Sequence, residues 1–235
     1  MRGDDLPPDA PGGLHIDDLL SLRRSVRVFR PDPVPRALVE EILTIASRSP
    51  SGTNIQPWKI HVVTGEARER LVREVLAHRD TNPPDDSAEF PRSSKRKDPY
   101  VSRMRKLGKD MYTLLGIPKG DQDANWRQWG RNYQFFDAPV GLILTLDKDL
   151  DAMSFLDLGM FGLAIMLAAR ARGLDTCAQG AWNNYWSVTR RVLKIPEDQY
   201  IVFGISLGWA DETAAVNSLV SEREPLEDFA TFHGF

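Results

Sequence analysis

One cysteine in 235 residues leaves no room for a disulfide within the chain or for a zinc site built from thiolates. Histidine is nearly as scarce. The four, His15, His61, His78 and His233, are scattered, with no two at metal-ligand spacing, so no metal is expected. Excess charge is missing as well: 30 Lys+Arg stand against 33 Asp+Glu, a formal net charge of −3. A general nucleic-acid binder carries a basic excess, so no nucleic-acid partner is expected. No apolar run reaches bilayer length, the longest, residues 161–169, ending at Arg170. There is no Gly-x-Ser-x-Gly elbow, no phosphate-binding P-loop and no Gly-x-Gly-x-x-Gly after a strand. Cys177 reads as a small buried apolar side chain rather than a nucleophile.

What is present describes an ordinary globular protein, 42% hydrophobic and 27% charged. Residues 1–13 are rich in Asp, Pro and Gly and lack the apolar core of a signal peptide, so they read as a disordered extension and the cytoplasm as the location. Residues 14–235 read as a single α+β domain. Pro35 with Leu38, Ile42 and Ile45 predicts a helix that stops before Ser49-Pro50. Residues 58–63 predict a strand, 66–78 a charged helix, 140–146 a buried strand, 187–193 a short helix and 200–207 another strand. Residues 154–172, apolar nearly all round, predict a central buried helix closed by Gly173. Residues 80–99 are polar and proline-bearing. They open an insertion over about 80–130 that continues into predicted helices at 100–115 and 122–136.

Two segments carry chemistry. Arg23-Arg24-Ser25-Val26-Arg27 is either the solvated end of a helix or an anion site, since guanidinium groups grip phosphate oxygens in pairs and a serine adds a donor. Ser49-Pro50-Ser51-Gly52-Thr53-Asn54-Ile55-Gln56-Pro57-Trp58 is either a turn-rich connection or a set of hydroxyls and amides able to read a polar heterocycle. In this order, and followed by Gly173-Leu174-Asp175-Thr176-Cys177-Ala178-Gln179-Gly180, by Leu193-x-Ile195-Pro196 and by Asp211, Asn217 and Arg223, the chain resembles the FMN-dependent nitroreductase family over about residues 14–235. The insertion and Tyr112-x-Leu114-Leu115-Gly116-Ile117-Pro118 resemble its nitrobenzoate reductase-like group.

The resemblance implies a central, mostly antiparallel sheet flanked by helices, in an intertwined homodimer with FMN at the interface. It implies that Arg23, Ser25 and Arg223 hold the phosphate and ribityl end, with Arg24 acting through its backbone. Arg27 would reach the N1/O2 edge of the ring, where reduction places negative charge that a fixed cation stabilises. Pro50, Ser51, Gly52 and Asn54 would come from the partner subunit, and Gln179 and Gly180 would lie along the N5/O4 edge. Ser221 stands where some members supply a phosphate-binding lysine. The implied reaction is ping-pong: NADPH or NADH reduces the flavin, and a small aromatic acceptor, a nitro compound or quinone, reoxidises it. No side chain is assigned as catalytic acid or base. The insertion is expected to form a lid in which Tyr100, Arg103 and Arg105 meet substrate or nicotinamide phosphate, while a solvated charge run is the plainer reading of Arg92, Lys95, Arg96, Lys97, Arg103, Arg105 and Lys106. Reductive dehalogenation, as in proteins similar to iodotyrosine deiodinase, and non-catalytic flavin binding are the alternatives.

Overall fold

A strand apolar on both sides needs cover on both faces, and Val140–Asp147 is such a strand, buried at every position but its last. In a computed structural model that describes residues 15–85 and 96–234, it lies inside a four-stranded sheet. The strands are β1 (Lys59–Thr64), β2 (Val140–Asp147), β3 (Asp175–Gln179) and β4 (Gln199–Gly208). Their order is β1-β2-β4-β3, and every neighbouring pair is antiparallel. Successive side chains of β2 point to opposite faces. Leu142 and Leu144 pack with α2 (Arg36–Ala46) and α6 (Met153–Arg170), through Ile42, Leu158 and Ile165. Ile143 packs with α3 (Gly65–Thr81) and α7 (Trp186–Leu193), through Leu71, Val75 and Val188. The result is a helix–sheet–helix sandwich, the expected α+β arrangement. The extension expected at residues 1–13, and Arg92 and Lys95 of the insertion, lie outside the described residues.

Two glycines shape the second face. Phe135 and Trp182 stack there with ring centroids 4.5 Å apart. A Cβ on Gly141 of β2 would lie 2.3 Å from Phe135 Cζ, and one on Gly204 of β4 would lie 2.3 Å from Trp182 Cδ1. The rings therefore fill space that any other residue type at these two positions would occupy.

Two expectations are corrected, and one strand is not predicted. The helix predicted over 122–136 ends early: α5 is Gln122–Gly130, and Arg131–Asp137 tightens into 3₁₀ turns with Phe135, Phe136 and Asp137 left-handed at φ of 53°, 52° and 69°. The break lets Phe135 reach the sheet, so burial of aromatic area overrides helical periodicity. α6 is not buried all round, because Met153, Leu156, Met160 and Leu163 form an exposed stripe. Its mean hydropathy of 1.5 makes it the one helix among the described residues apolar and long enough to cross a membrane, but its inner face packs on the sheet. Finally, β3, Asp-Thr-Cys-Ala-Gln, has no apolar run or alternation to announce it.

The insertion is fastened by a buried cation. Arg79 of α3 is 4% exposed, and its guanidinium lies 3.5 Å from the centroid of the Trp126 ring of α5 and donates to the Trp126 carbonyl. A Cβ on Gly130 would lie 2.6 Å from Arg79 Nη1, so Gly130 keeps this seat open. Burial pulls the arginine pKa below its ordinary value, and among the described residues no carboxylate forms an ion pair with it. Arg79→Met removes the charge-assisted bond and the cation–π contact, and is expected to cost about 2 kcal/mol. Limited trypsinolysis checks this, with cleavage after Arg127 and Arg131 accelerating while α2 and α6 stay protected.

Candidate functional site

After α1 (Ile16–Leu22) the chain becomes extended and runs beside β3. The Val26 amide donates to the Thr176 carbonyl at 3.0 Å, Ser25 bridges Thr176, and Phe29 bridges Ala210. Val26 and Phe29 are buried in the core, while Ser25, Arg27 and Val28 are only partly covered. Asn217, 2% exposed, clasps the segment: its Oδ1 accepts from the Arg27 amide at 2.8 Å. Its Nδ2 donates to the carbonyls of Val28 at 2.7 Å and Asp211 at 2.9 Å. Arg27 Nη1 donates to the Ser25 carbonyl at 3.1 Å, which fixes the guanidinium over its own backbone.

These residues open onto a cleft of about 500 Å³ lined by Arg23, Arg24, Ser25, Arg27, Ser221 and Arg223, with Leu20, Leu107 and Leu219 among its apolar walls. The three residues expected at the phosphate and ribityl end, Arg23, Ser25 and Arg223, thus line one cleft together with Arg24 and with Arg27, the residue expected at the ring edge. Arg24 is paired with Glu212 at 2.5 Å. Among the described residues, Arg23, Arg27 and Arg223 have no carboxylate partner. Ser221, where a lysine was a family option, instead accepts from Arg223 Nη1 at 2.8 Å, and the Glu222 carbonyl accepts from the same atom at 2.9 Å. Uncompensated guanidinium groups around one concavity make an anion site.

Arg27 also lines a second, smaller cleft of about 150 Å³, whose walls include Tyr112, Gln128, Trp129, Asn132, Phe136 and Cys177. Its aromatic walls suit a planar ring. Burial pushes the Cys177 thiol up to about 11, against the opposing influence of Arg27 and Arg23, so it is a neutral thiol at physiological pH. Tyr133, packed edge-on against Trp182 and Tyr185, is likewise raised to about 12 by burial and donates to the Ala181 carbonyl at 3.2 Å.

Other expected residues lie elsewhere. Gln179 is buried with its amide bonded at both ends, to the Asn132 carbonyl at 2.6 Å and the Ser206 hydroxyl at 2.7 Å, so its side chain is not presented to either cleft. Gly180 is exposed, with nothing within 4 Å of an added Cβ. Pro50, Ser51, Gly52 and Asn54 line neither cleft of this chain. In helix α4 (Tyr100–Leu114), Arg103 pairs with Glu224 at 2.6 Å and Lys106 with Glu222 at 2.9 Å. The Arg103 charge is therefore compensated, and the helix is tied to the segment that carries Arg223. Arg105 is exposed without an ion pair to a described residue, and Tyr100 is 55% exposed. Tyr112, Gln128 and Phe136, which no sequence motif singled out as ligands, line the smaller cleft instead.

The profile of the nitroreductase family matches residues 20–209. The chain belongs to this family. It is 44% identical over 221 residues to the 4-nitrobenzoate reductase of Pseudomonas putida, an alignment covering 94% of this chain and 96% of the relative. Among solved structures it resembles the FMN and NADPH-dependent nitroreductase NfnB of Sphigopyxis sp. strain HMH, with a TM-score of 0.88, 36% identity, and coverage of 94% and 100% of the two chains. The FMN-dependent nitroreductase NfnB of Mycobacterium smegmatis in complex with NADPH gives a TM-score of 0.86 at 32% identity, with coverage of 92% and 97%. The nitroreductase profile ends before Asn217 and Arg223, so the C-terminal half of the arginine cleft is seen in the structure and not in the profile match.

Proposed function

We propose that this nitroreductase-family chain is an FMN-dependent oxidoreductase that uses NAD(P)H to reduce nitroaromatic compounds. One observation carries the reading: Arg27 is shared by a cleft holding the unpaired Arg23 and Arg223 and by a cleft walled by Tyr112, Trp129 and Phe136. Such a pair of clefts fits a molecule with a phosphate at one end and a planar heterocycle at the other. The relatives point the same way, as a nitrobenzoate reductase and an FMN and NADPH-dependent nitroreductase.

In this reading Arg23 and Arg223 neutralise the phosphate, and the Ser25 hydroxyl adds a donor. Arg27, locked by Asn217 and its own backbone bond, sets a cation beside the ring edge where reduction develops charge. When bound, FMN supplies the two-electron chemistry, taking hydride from NAD(P)H and passing it to the acceptor. Among the described residues neither cleft is lined by a carboxylate or a histidine, so no side chain there is assigned as acid or base. The working unit in this reading is a homodimer in the cytoplasm. The exposed α6 stripe and the exposed Phe229 and Phe232 offer apolar area to a second copy, whose 50–54 loop would complete the site.

The test is direct. The purified chain should be yellow or turn yellow with FMN, bleach anaerobically with NADPH or NADH, and recover its colour on adding 4-nitrobenzoate. Recovery with a quinone or halotyrosine but not with a nitroaromatic would move the acceptor class. A protein that stays colourless with excess FMN would overturn the proposal.

A further inference from the structure

Asp157 of α6 is 5% exposed, and both of its carboxylate oxygens accept from one backbone amide, that of Gly52, at 3.3 Å. Among the described residues no cation pairs with it. A buried carboxylate without a counter-ion is costly, and an apolar side chain would stabilise this position more. Its value lies in what it holds.

The loop it holds is strained. Thr53, Asn54 and Gln56 are left-handed at φ of 47°, 61° and 50°, a region that a β-branched residue such as threonine enters at a cost. Inside the loop, Ser51 supplies the closure: its hydroxyl oxygen accepts from the Gln56 amide and its carbonyl from the Asn54 amide, both at 3.0 Å. Among the described residues the Ser51 hydroxyl donates to none, so its proton is available to a ligand. One turn of α6 beyond Asp157, the Phe161 ring stacks on Trp58 with centroids 4.7 Å apart and planes 8° from parallel. α6 therefore grips the loop at its two ends, and the left-handed residues lie between the grips.

We propose that Asp157 is a positioning residue that presets the 51–56 loop, so that Ser51 and Asn54 meet the cofactor without first being ordered. This rests on the FMN reading above. Pre-ordering a strained segment removes the entropy that binding would otherwise have to supply.

The experiment compares wild type, Asp157→Ala and Asp157→Asn, the last keeping an acceptor of the same shape. Amide hydrogen exchange of the apoprotein reports on the loop, and FMN fluorescence quenching gives Kd. Expected for Asp157→Ala is exchange at 51–56 accelerated about tenfold and an FMN Kd raised about tenfold, with protection of Val26 unchanged. Asp157→Asn should stay within about threefold of wild type in both. Should the alanine variant not fold, Asp157→Ser, too short to reach the amide, is read in its place. Unchanged loop exchange would overturn the inference even if FMN binding weakened. Faster exchange with unchanged Kd would overturn the link between loop and cofactor. A wild-type protein that does not bind FMN would overturn the functional reading and this inference with it.

Discussion

Gly141→Ala is expected to lower stability by about 3 kcal/mol, at the upper end of overpacking costs. For a chain of this size that corresponds to a fall in Tm of roughly 6–12 °C. The reason is local and severe. The new Cβ would meet Phe135 Cζ at 2.3 Å, Cε1 at 2.4 Å and Cε2 at 2.6 Å, and the ring is fully buried and stacked against Trp182, so it has nowhere to move. Phe135 is also left-handed, which ties ring placement to an uncommon backbone state. A cycle with Phe135→Leu isolates the contact, since leucine lacks the three clashing atoms. In that background the added methyl should cost under about 1 kcal/mol, giving a coupling of about 2 kcal/mol by thermal or chemical unfolding. Gly173→Ala provides the contrast: nothing lies within 4 Å of its Cβ, and its cost, about 1 kcal/mol, comes only from a φ of 75°.

Arg23→Ala is expected to raise the Kd for FMN by roughly 10–100-fold, the range for losing a charge-assisted hydrogen bond to a phosphate. Arg23 lines the larger cleft and has no carboxylate partner among the described residues, so its charge is available to a ligand. Arg24 lines the same cleft but is paired with Glu212 at 2.5 Å, and Arg24→Ala should change Kd by less than about threefold. Arg30, paired with Asp32 at 2.8 Å and outside the cleft, is the control. Arg23→Lys should recover part of the loss, since lysine supplies charge without the planar fork. Titration at two salt concentrations sharpens the test: the Arg23 effect shrinks with added salt, because exposed charge pairs are screened. Equal, small effects at Arg23, Arg24 and Arg30 would remove the phosphate site from this cleft.

How much of this could be read from the sequence varied with the physical signal. Helices with a clear apolar stripe, such as α2, and strands bounded by turn residues, such as β1, were legible because their pattern is periodic. β3 was not, because it is polar by composition and becomes a strand through pairing with β4 on one side and Ser25 on the other. The arginines at 23, 27 and 223 were legible as a set only through resemblance, and the geometry adds that they share one cleft while Arg24 and Arg103 are neutralised by Glu212 and Glu224. Gln179 was expected at a ligand edge, but its amide is consumed by Asn132 and Ser206. Asp157 left no mark in the sequence, since an acid in an apolar helix gains meaning only from the amide it faces, 105 positions away.

The Asn217 clasp has a consequence for when the site comes into being. Its bond to the Arg27 amide spans 190 positions of chain. During synthesis the Arg23–Arg27 segment waits, without its clasp, until the 190 positions that separate Arg27 from Asn217 have been made. At about 5–20 residues per second that interval is about ten seconds or more. The sheet and its flanking helices can condense meanwhile, but the two ends of the arginine cleft cannot meet. If FMN binds in this cleft as proposed, its capture would follow closure of the Asn217 clasp rather than precede it.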